Sequence, residues 1–277
     1  MTSKQLALAM TLGLFAATGC TKEATRPLAQ APDLPPSASM KIDLSFFGAS
    51  SRAARAATQS AAEGATIFNW TNATVRVLVI NAFVDAALEP PFQALDAALS
   101  TDPVQQSDGS WLWTFGIRDA GREIRIDLEG RPSGSEVAWK LFATDSGAPV
   151  PLDHDLWFEG TSSEHAGTWL FHDPATPNGL EVARLEWRYQ NDRDAELSLE
   201  GLDSRGAGSG DRLTYRVAGD EASVIFRDGA SSQTMSMVWD TTDGSGSLTA
   251  PDYNGGRRAC WDEHQRDADC EPAIVAR

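Results

Sequence analysis

The sequence is poor in the residues that usually carry catalysis or bind nucleic acid. It has 277 residues but only three cysteines and four histidines, and 39 Asp and Glu residues outnumber 23 Lys and Arg residues. The formal net charge of -16 opposes binding to phosphate backbones, so we expect no nucleic-acid partner. The sequence also lacks the G-x-S-x-G, H-E-x-x-H and P-loop motifs. We therefore predict that the protein is not an enzyme.

The N-terminal apolar run is too short for a membrane-spanning helix. It covers residues 6–17 and follows Lys4, whereas a helix that crosses the hydrocarbon core needs about 20 residues. A positive residue, a short apolar stretch and small residues at its end are typical of a secretory signal peptide. We therefore predict an exported protein.

The end of this leader reads Ala17-Thr18-Gly19-Cys20, which resembles the lipobox of bacterial lipoproteins. The resemblance covers residues 1–20, with Ala at the first position where Leu is commoner. It implies removal of a signal peptide at residues 1–19, a diacylglyceryl thioether on Cys20 and a fatty acyl group, such as palmitate, on the new N-terminus. Two or three acyl chains would hold the protein on a membrane, since each buried CH₂ contributes about 0.8 kcal/mol. The alternative is an ordinary signal peptide with a coincidental cysteine.

The residue after the cysteine bears on the location of the protein. It is Thr21 rather than Asp, and the resemblance then implies, by the enterobacterial sorting rule, the outer membrane. Residues 20–40 follow as a tether that we predict to be disordered, because prolines cluster there and large apolar side chains are scarce. We expect residues 41–277 to form a single domain.

The first part of this domain, residues 41–100, is predicted to be helical. An Ala-rich helix is expected from Ser51 to Ala62, and a second from Thr71 or Asn72 to about Leu88. Pro90 and Pro91 are expected to end the second helix, and a short third helix would cover residues 92–99. The many β-branched residues of the second segment leave a strand as an alternative.

From residue 108 to 250 the apolar residues recur with a period of two. Ile124, Ile126 and Leu128, for example, alternate with charged residues, and Gly, Asp, Ser and Pro clusters bound most of these runs. We predict a mainly β fold, an antiparallel up-and-down meander of about 11 strands. It would form a barrel, a half-barrel or a curved sheet, with the N-terminal helices packed on its apolar face. A membrane barrel also alternates, but a chain with its own lipid anchor favours the soluble form.

The last part, residues 251–277, contains the two remaining cysteines. An even pair in an exported protein favours a disulfide between Cys260 and Cys270, which would form a C-terminal loop. The alternative is a metal site made by these two cysteines with Asp262 and His264. The oxidising compartment favours the disulfide, and we expect neither a metal nor another cofactor.

Nine tryptophans invite a search for a binding surface. Five of them lie on the apolar side of predicted strands, where core packing is expected: Trp111, Trp113, Trp139, Trp187 and Trp239. Trp157 and Trp261 are the candidates for exposed aromatic rings that bind a ligand such as a carbohydrate.

The sequence supports two main functional hypotheses. The first is a non-catalytic envelope lipoprotein that binds or interacts with other envelope proteins. The second is a carrier of lipid or another apolar ligand, because about eleven antiparallel strands around a helix resemble, at the level of fold, the periplasmic carriers LolA and LolB. An unrecognised hydrolase is a third, weaker hypothesis.

Overall fold

The computed structural model describes residues 30–36, 42–48, 66–119, 122–173, 176, 179–203 and 208–270. The leader, Cys20 and the expected helix at Ser51–Ala62 lie outside these residues. Neither helix described below has the length and apolar character needed to span a bilayer.

Among the described residues, two helices precede the sheet, α1 at Ser45–Gly48 and α2 at Phe68–Ala98. The strand alternative is therefore wrong for the segment that follows Thr71. The prediction that Pro90 and Pro91 end the helix is also wrong, because one helix continues through both prolines. A proline is compatible with helical φ, but in a helix interior it removes one hydrogen bond and its ring crowds the carbonyl of the preceding turn, at a cost of about 3 kcal/mol. The buried residues Ala94, Leu95 and Ala98 hold the final turns against the core, which offsets part of that cost.

One face of α2 is buried and another is exposed. Residues at alternating spacings of three and four are buried: Trp70, Ala73, Val77, Ile80 and Val84. This spacing places them on a single face, and they share one hydrophobic core with the strands. The helix contacts strands near both ends of the sheet described next. That the helices cover the whole apolar face of the sheet stays a prediction.

Fourteen strands form one sheet in which every strand pairs with its neighbours in the sequence. The strands are β1 (Val104–Gln105), β2 (Trp111–Asp119), β3 (Arg122–Ser133), β4 (Glu136–Asp145), β5 (Leu152–Ser162), β6 (Ala166–Asp173), β7 (Leu180–Asn191), β8 (Asp194–Gly201), β9 (Arg212–Ala218), β10 (Glu221–Arg227), β11 (Thr234–Asp240), β12 (Gly246–Thr249), β13 (Ala259–Trp261) and β14 (Asp267–Ala268).

The predicted mainly β meander is confirmed. All the strand pairs are antiparallel, and the eleven strands β2–β12 lie in the region where about 11 were expected. β1 and β14 stand at the two ends of the strand order, so the sheet is not closed. This arrangement fits the curved sheet or half-barrel among the predicted forms, rather than the closed barrel.

Large indole rings fill the apolar side of the sheet. Trp113, Trp139, Trp187 and Trp239 are at most 3% exposed, which confirms their predicted place in the core. Trp111 is only partly buried, but it packs against the same core.

The N-terminal segment before the helices also belongs to the domain. In residues 31–36, which fall within the predicted tether, Pro35 is buried, and Ala31 and Leu34 pack against the core. In the next described stretch, Leu44 and Phe47 are each 2% exposed. Residues 31–36, within the range predicted as a tether, therefore pack against the domain through two apolar residues and a buried proline.

The predicted disulfide is present at the end of the sheet. Cys260 lies on β13 and bonds to Cys270, with the two Cα atoms 5.3 Å apart. Since the two sulfurs bond to each other, the alternative in which they hold a metal is wrong.

Candidate functional site

A cavity of about 560 Å³ lies at one edge of the sheet. In an up-and-down meander, successive turns lie alternately at the two ends of the strands. The turns after β7, β9 and β11 therefore lie along the same edge of the sheet, the one formed by the strand ends. The segment that contains α1 lies beside these turns and supplies Asp43 and Phe46 to the cavity. We call this space the edge cavity.

The spacing of large and small side chains along one row of paired residues explains the cavity. Tyr189 pairs with Ala195, Ala195 with Val217, Val217 with Ala222, and Ala222 with Trp239. The two alanines therefore stand between the aromatic residues at the ends of the row. Because an alanine fills little space beside a phenol or an indole, the row leaves an opening that a uniformly large set of side chains would fill.

Four aromatic residues contribute to the wall of the edge cavity: Phe46, Tyr189, Tyr215 and Trp239. The rings of Tyr215 and Trp239 lie 6.5 Å apart between centroids. The ring of Phe47 packs edge-on against Trp239, with the ring centroids 5.1 Å apart. Phe46 packs over Gly244, where a Cβ atom would come within 2.6 Å of the ring.

Charged side chains surround the opening. Tyr189 donates its hydroxyl hydrogen to the carboxylate of Asp192 at 2.6 Å. Arg193 binds Asp220 of the next hairpin at 2.7 Å. A third carboxylate, that of Asp43, accepts the backbone N–H of Ser45 at 3.0 Å and so caps α1.

The two tyrosine hydroxyls are held in their protonated form. Burial, and secondly the negative charge of Asp43, raise the pKa of Tyr215 to about 12, although the backbone N–H of Asp43 acts in the opposite direction. The hydrogen bond to Asp192 raises the pKa of Tyr189 above its usual value. At neutral pH both groups are therefore hydrogen-bond donors rather than bases, which suits binding better than proton abstraction.

The two tryptophans proposed from the sequence as exposed rings lie elsewhere. Trp157 is only partly buried and packs against the core. Trp261 is 2% exposed, and its indole N–H donates to the carbonyl oxygen of Gly244 at 2.8 Å. The prediction of an exposed Trp261 is wrong because this residue lies on β13 and its ring covers Gly246 of β12.

The histidines do not gather into one group. His154 stacks on Phe142 with ring centroids 4.2 Å apart and faces Asp127 at 3.6 Å. His172 is 8% exposed and faces Glu159 at 3.7 Å. Within the described part of the chain, no three His, Cys, Asp or Glu side chains are placed to hold a metal ion.

No residue of the edge cavity was predicted from the sequence to bind a ligand, and Trp239 was predicted only as a core residue. Asp192 and Asp220 sit in hairpin turns, where acidic residues are usual and do not by themselves indicate a binding site. Acidic residues also stand at turns on the opposite edge of the sheet, as at Asp145 and Asp228, so this feature alone did not point to the cavity. No family model, curated protein or solved structure matches this chain.

Proposed function

We propose that the protein is a membrane-anchored lipoprotein of the bacterial cell envelope, in the outer membrane, whose domain is a non-catalytic binding module. The anchor is supported by the leader, in which a short apolar run ends at Ala17-Thr18-Gly19-Cys20. The acyl chains on Cys20 would join the domain through the short stretch of residues 21–30, because residues 31–36 already pack against the core.

The observation that carries the binding role is the edge cavity. Its volume, about 560 Å³, falls in the range of about 300–1,000 Å³ that small-molecule sites occupy. Aromatic rings line it, as in most such sites, but charged residues make it more polar than a typical small-molecule pocket. The described residues that line it include no histidine, cysteine or lysine, so the residue types there with nucleophile or base chemistry are aspartate, tyrosine, serine and threonine.

The anchor is tested by metabolic labelling of the full chain in a Gram-negative host with an alkynyl fatty acid. The wild-type protein is expected to take up the label and to fractionate with the outer membrane, and the Cys20→Ser variant is expected to do neither. Cys260→Ser is the matched control, since it removes a cysteine of the domain and should keep the label. A labelled Cys20→Ser protein would contradict the proposal.

Native mass spectrometry of the membrane-extracted protein distinguishes three hypotheses: a binding module, a carrier of apolar ligands, and a hydrolase. A binding module is expected to show added mass only when a ligand is supplied, and the ligand is recovered unchanged. Lipid bound as the protein is extracted would favour the carrier instead. Conversion of the ligand into a product would favour an enzyme.

A further inference from the structure

The charges around the edge cavity are unbalanced. Three carboxylates, those of Asp43, Asp192 and Asp220, face one guanidinium, that of Arg193. The guanidinium is already paired with Asp220 at 2.7 Å, so the cavity keeps the charge of two carboxylates. An anionic ligand would be repelled there, and the net charge of -16 on the whole chain adds to that repulsion.

The wall of the cavity also suits a positive charge. The face of an aromatic ring carries partial negative charge and attracts ammonium groups that approach within about 6 Å of its centre. Rings from three parts of the chain meet at this cavity: Phe46 on α1, Tyr189 on β7, and Tyr215 with Trp239 on the core side of the sheet. Aromatic rings combined with nearby carboxylates form the kind of site that recognises quaternary ammonium groups.

Two of the nearby carboxylates, those of Asp192 and Asp43, have an oxygen that can accept a hydrogen bond from a ligand. Asp192 accepts the hydroxyl of Tyr189 at 2.6 Å, which leaves its second oxygen for a further donor. Asp43 caps α1 with one oxygen, so it too has acceptor capacity left. Asp43 lies in the segment that contains α1, and Asp192 lies in the turn between β7 and β8. A ligand between them would therefore meet negative charge from two sides.

From the aromatic wall and the excess of carboxylates we propose that the edge cavity binds a small organic cation, an amine or quaternary ammonium compound with apolar substituents. This inference rests on the proposed binding role of the cavity and names its ligand class. The methyl or methylene groups of such a cation would contact the rings, and its charge would face Asp43 and Asp192. The two alanines of the row, Ala195 and Ala222, provide the space that the ligand occupies.

The test is isothermal titration of the full-length, processed protein in detergent with choline, and with 3,3-dimethylbutan-1-ol as its neutral isostere. Both compounds have the same shape, so the comparison isolates the charge. We expect choline to bind at least tenfold more tightly than the alcohol and to weaken as salt is added. Equal affinities for the two compounds, or no binding of choline, would overturn the proposal.

Three variants locate the binding. Asp43→Asn keeps a side chain that caps α1 and removes one charge, so it should weaken choline binding about tenfold. Ala195→Leu fills the row and should abolish binding. Asp153→Asn, which alters an exposed carboxylate on β5, is the matched control and should leave the affinity unchanged. An equal loss in Asp153→Asn would mean that overall charge, rather than this cavity, is responsible, and would overturn the proposal.

The failure of this inference can be told apart from the failure of the proposed function. If choline does not bind but the neutral disaccharide maltose does, and Ala195→Leu abolishes that binding, the cavity is a binding site for another class of ligand. The organic-cation inference would then be wrong, while the binding role would stand. The labelling of Cys20 is independent of either result.

Discussion

The indole ring of Trp139 lies over Gly130 of the neighbouring strand, where a Cβ atom would come within 2.6 Å of the ring. The ring is fixed there, because its N–H donates to the hydroxyl of Ser162 at 2.8 Å and the residue is 1% exposed. The same relationship joins other glycines to the tryptophan of an adjacent strand: Gly167 to Trp187, and Gly246 to Trp261. Aromatic rings that cover cross-strand glycines are a known way to stabilise strands that contain glycine.

Replacement of Gly130 by alanine should therefore destabilise the domain. The added methyl group would displace a buried ring, and overpacking of this kind typically costs about 1–3 kcal/mol. Gly116→Ala on β2 is the matched control, since its Cβ would meet only the carboxylate end of Glu123 at 3.1 Å. Urea unfolding followed by tryptophan fluorescence measures both variants. Equal stabilities of the two would contradict the packing described for Trp139.

The segment around α1 should contribute to the stability of the sheet. Phe47 is 2% exposed and meets the rings of Trp239 and Trp261 edge-on. Phe47→Ala should lower the free energy of unfolding by about 3–5 kcal/mol, as for other buried aromatic residues. Phe68→Ala, at a position that is 65% exposed, should change it by less than about 0.5 kcal/mol. A small effect at Phe47 would mean that residues 42–48 are not part of the folded core.

Reduction of the disulfide between Cys260 and Cys270 should weaken the domain. The bond closes a loop with a sequence separation of 10, for which chain entropy gives about 2.8 kcal/mol. Thermal unfolding with and without a reductant should show a lower midpoint in the reduced sample. The double variant Cys260→Ser/Cys270→Ser should start at that lower midpoint and not respond to the reductant. If the wild-type midpoint is unchanged by complete reduction, this contribution is absent.

The stability should fall at high pH through Tyr215. Its pKa is raised to about 12 in the folded protein, whereas a tyrosine in an unfolded chain ionises near pH 10. The contribution of this group to the stability is therefore complete below pH 10 and is lost as the pH rises towards 12, by about 3 kcal/mol. Tyr215→Phe should lose less stability than the wild type between pH 10 and 12. Parallel losses in the two proteins would contradict the raised pKa.

The meander was predictable because its signal is local. The period-two pattern around Ile124, Ile126 and Leu128 needs only neighbouring residues to be recognised, and it located the region of β2–β12. The helix break at Pro90 and Pro91 was predicted wrongly for the same reason. The rule that proline destabilises a helix interior considers only neighbouring residues. It does not include the stabilisation that the helix gains from the burial of Leu95 after the prolines.

The edge cavity could not be predicted because its parts are distant in the sequence. Asp43 and Tyr215 are brought together only by the pairing of the strands and the position of the N-terminal segment. The two alanines, Ala195 and Ala222, look unremarkable until the strand register places them in one row with Tyr189. Trp261 was wrongly predicted to be exposed for a similar reason. Its burial depends on contacts with Gly246 and Gly244, which lie in another hairpin.

The central claim, a lipoprotein anchored through Cys20, is tested most directly by mass spectrometry of the processed protein. The protein is extracted from membranes of a Gram-negative host and digested with trypsin, and its N-terminal peptide is sequenced. We predict a peptide of residues 20–22 that begins at Cys20 and carries a diacylglyceryl group on its sulfur. A mature chain that begins elsewhere, or a Cys20 with a free thiol, would contradict the account.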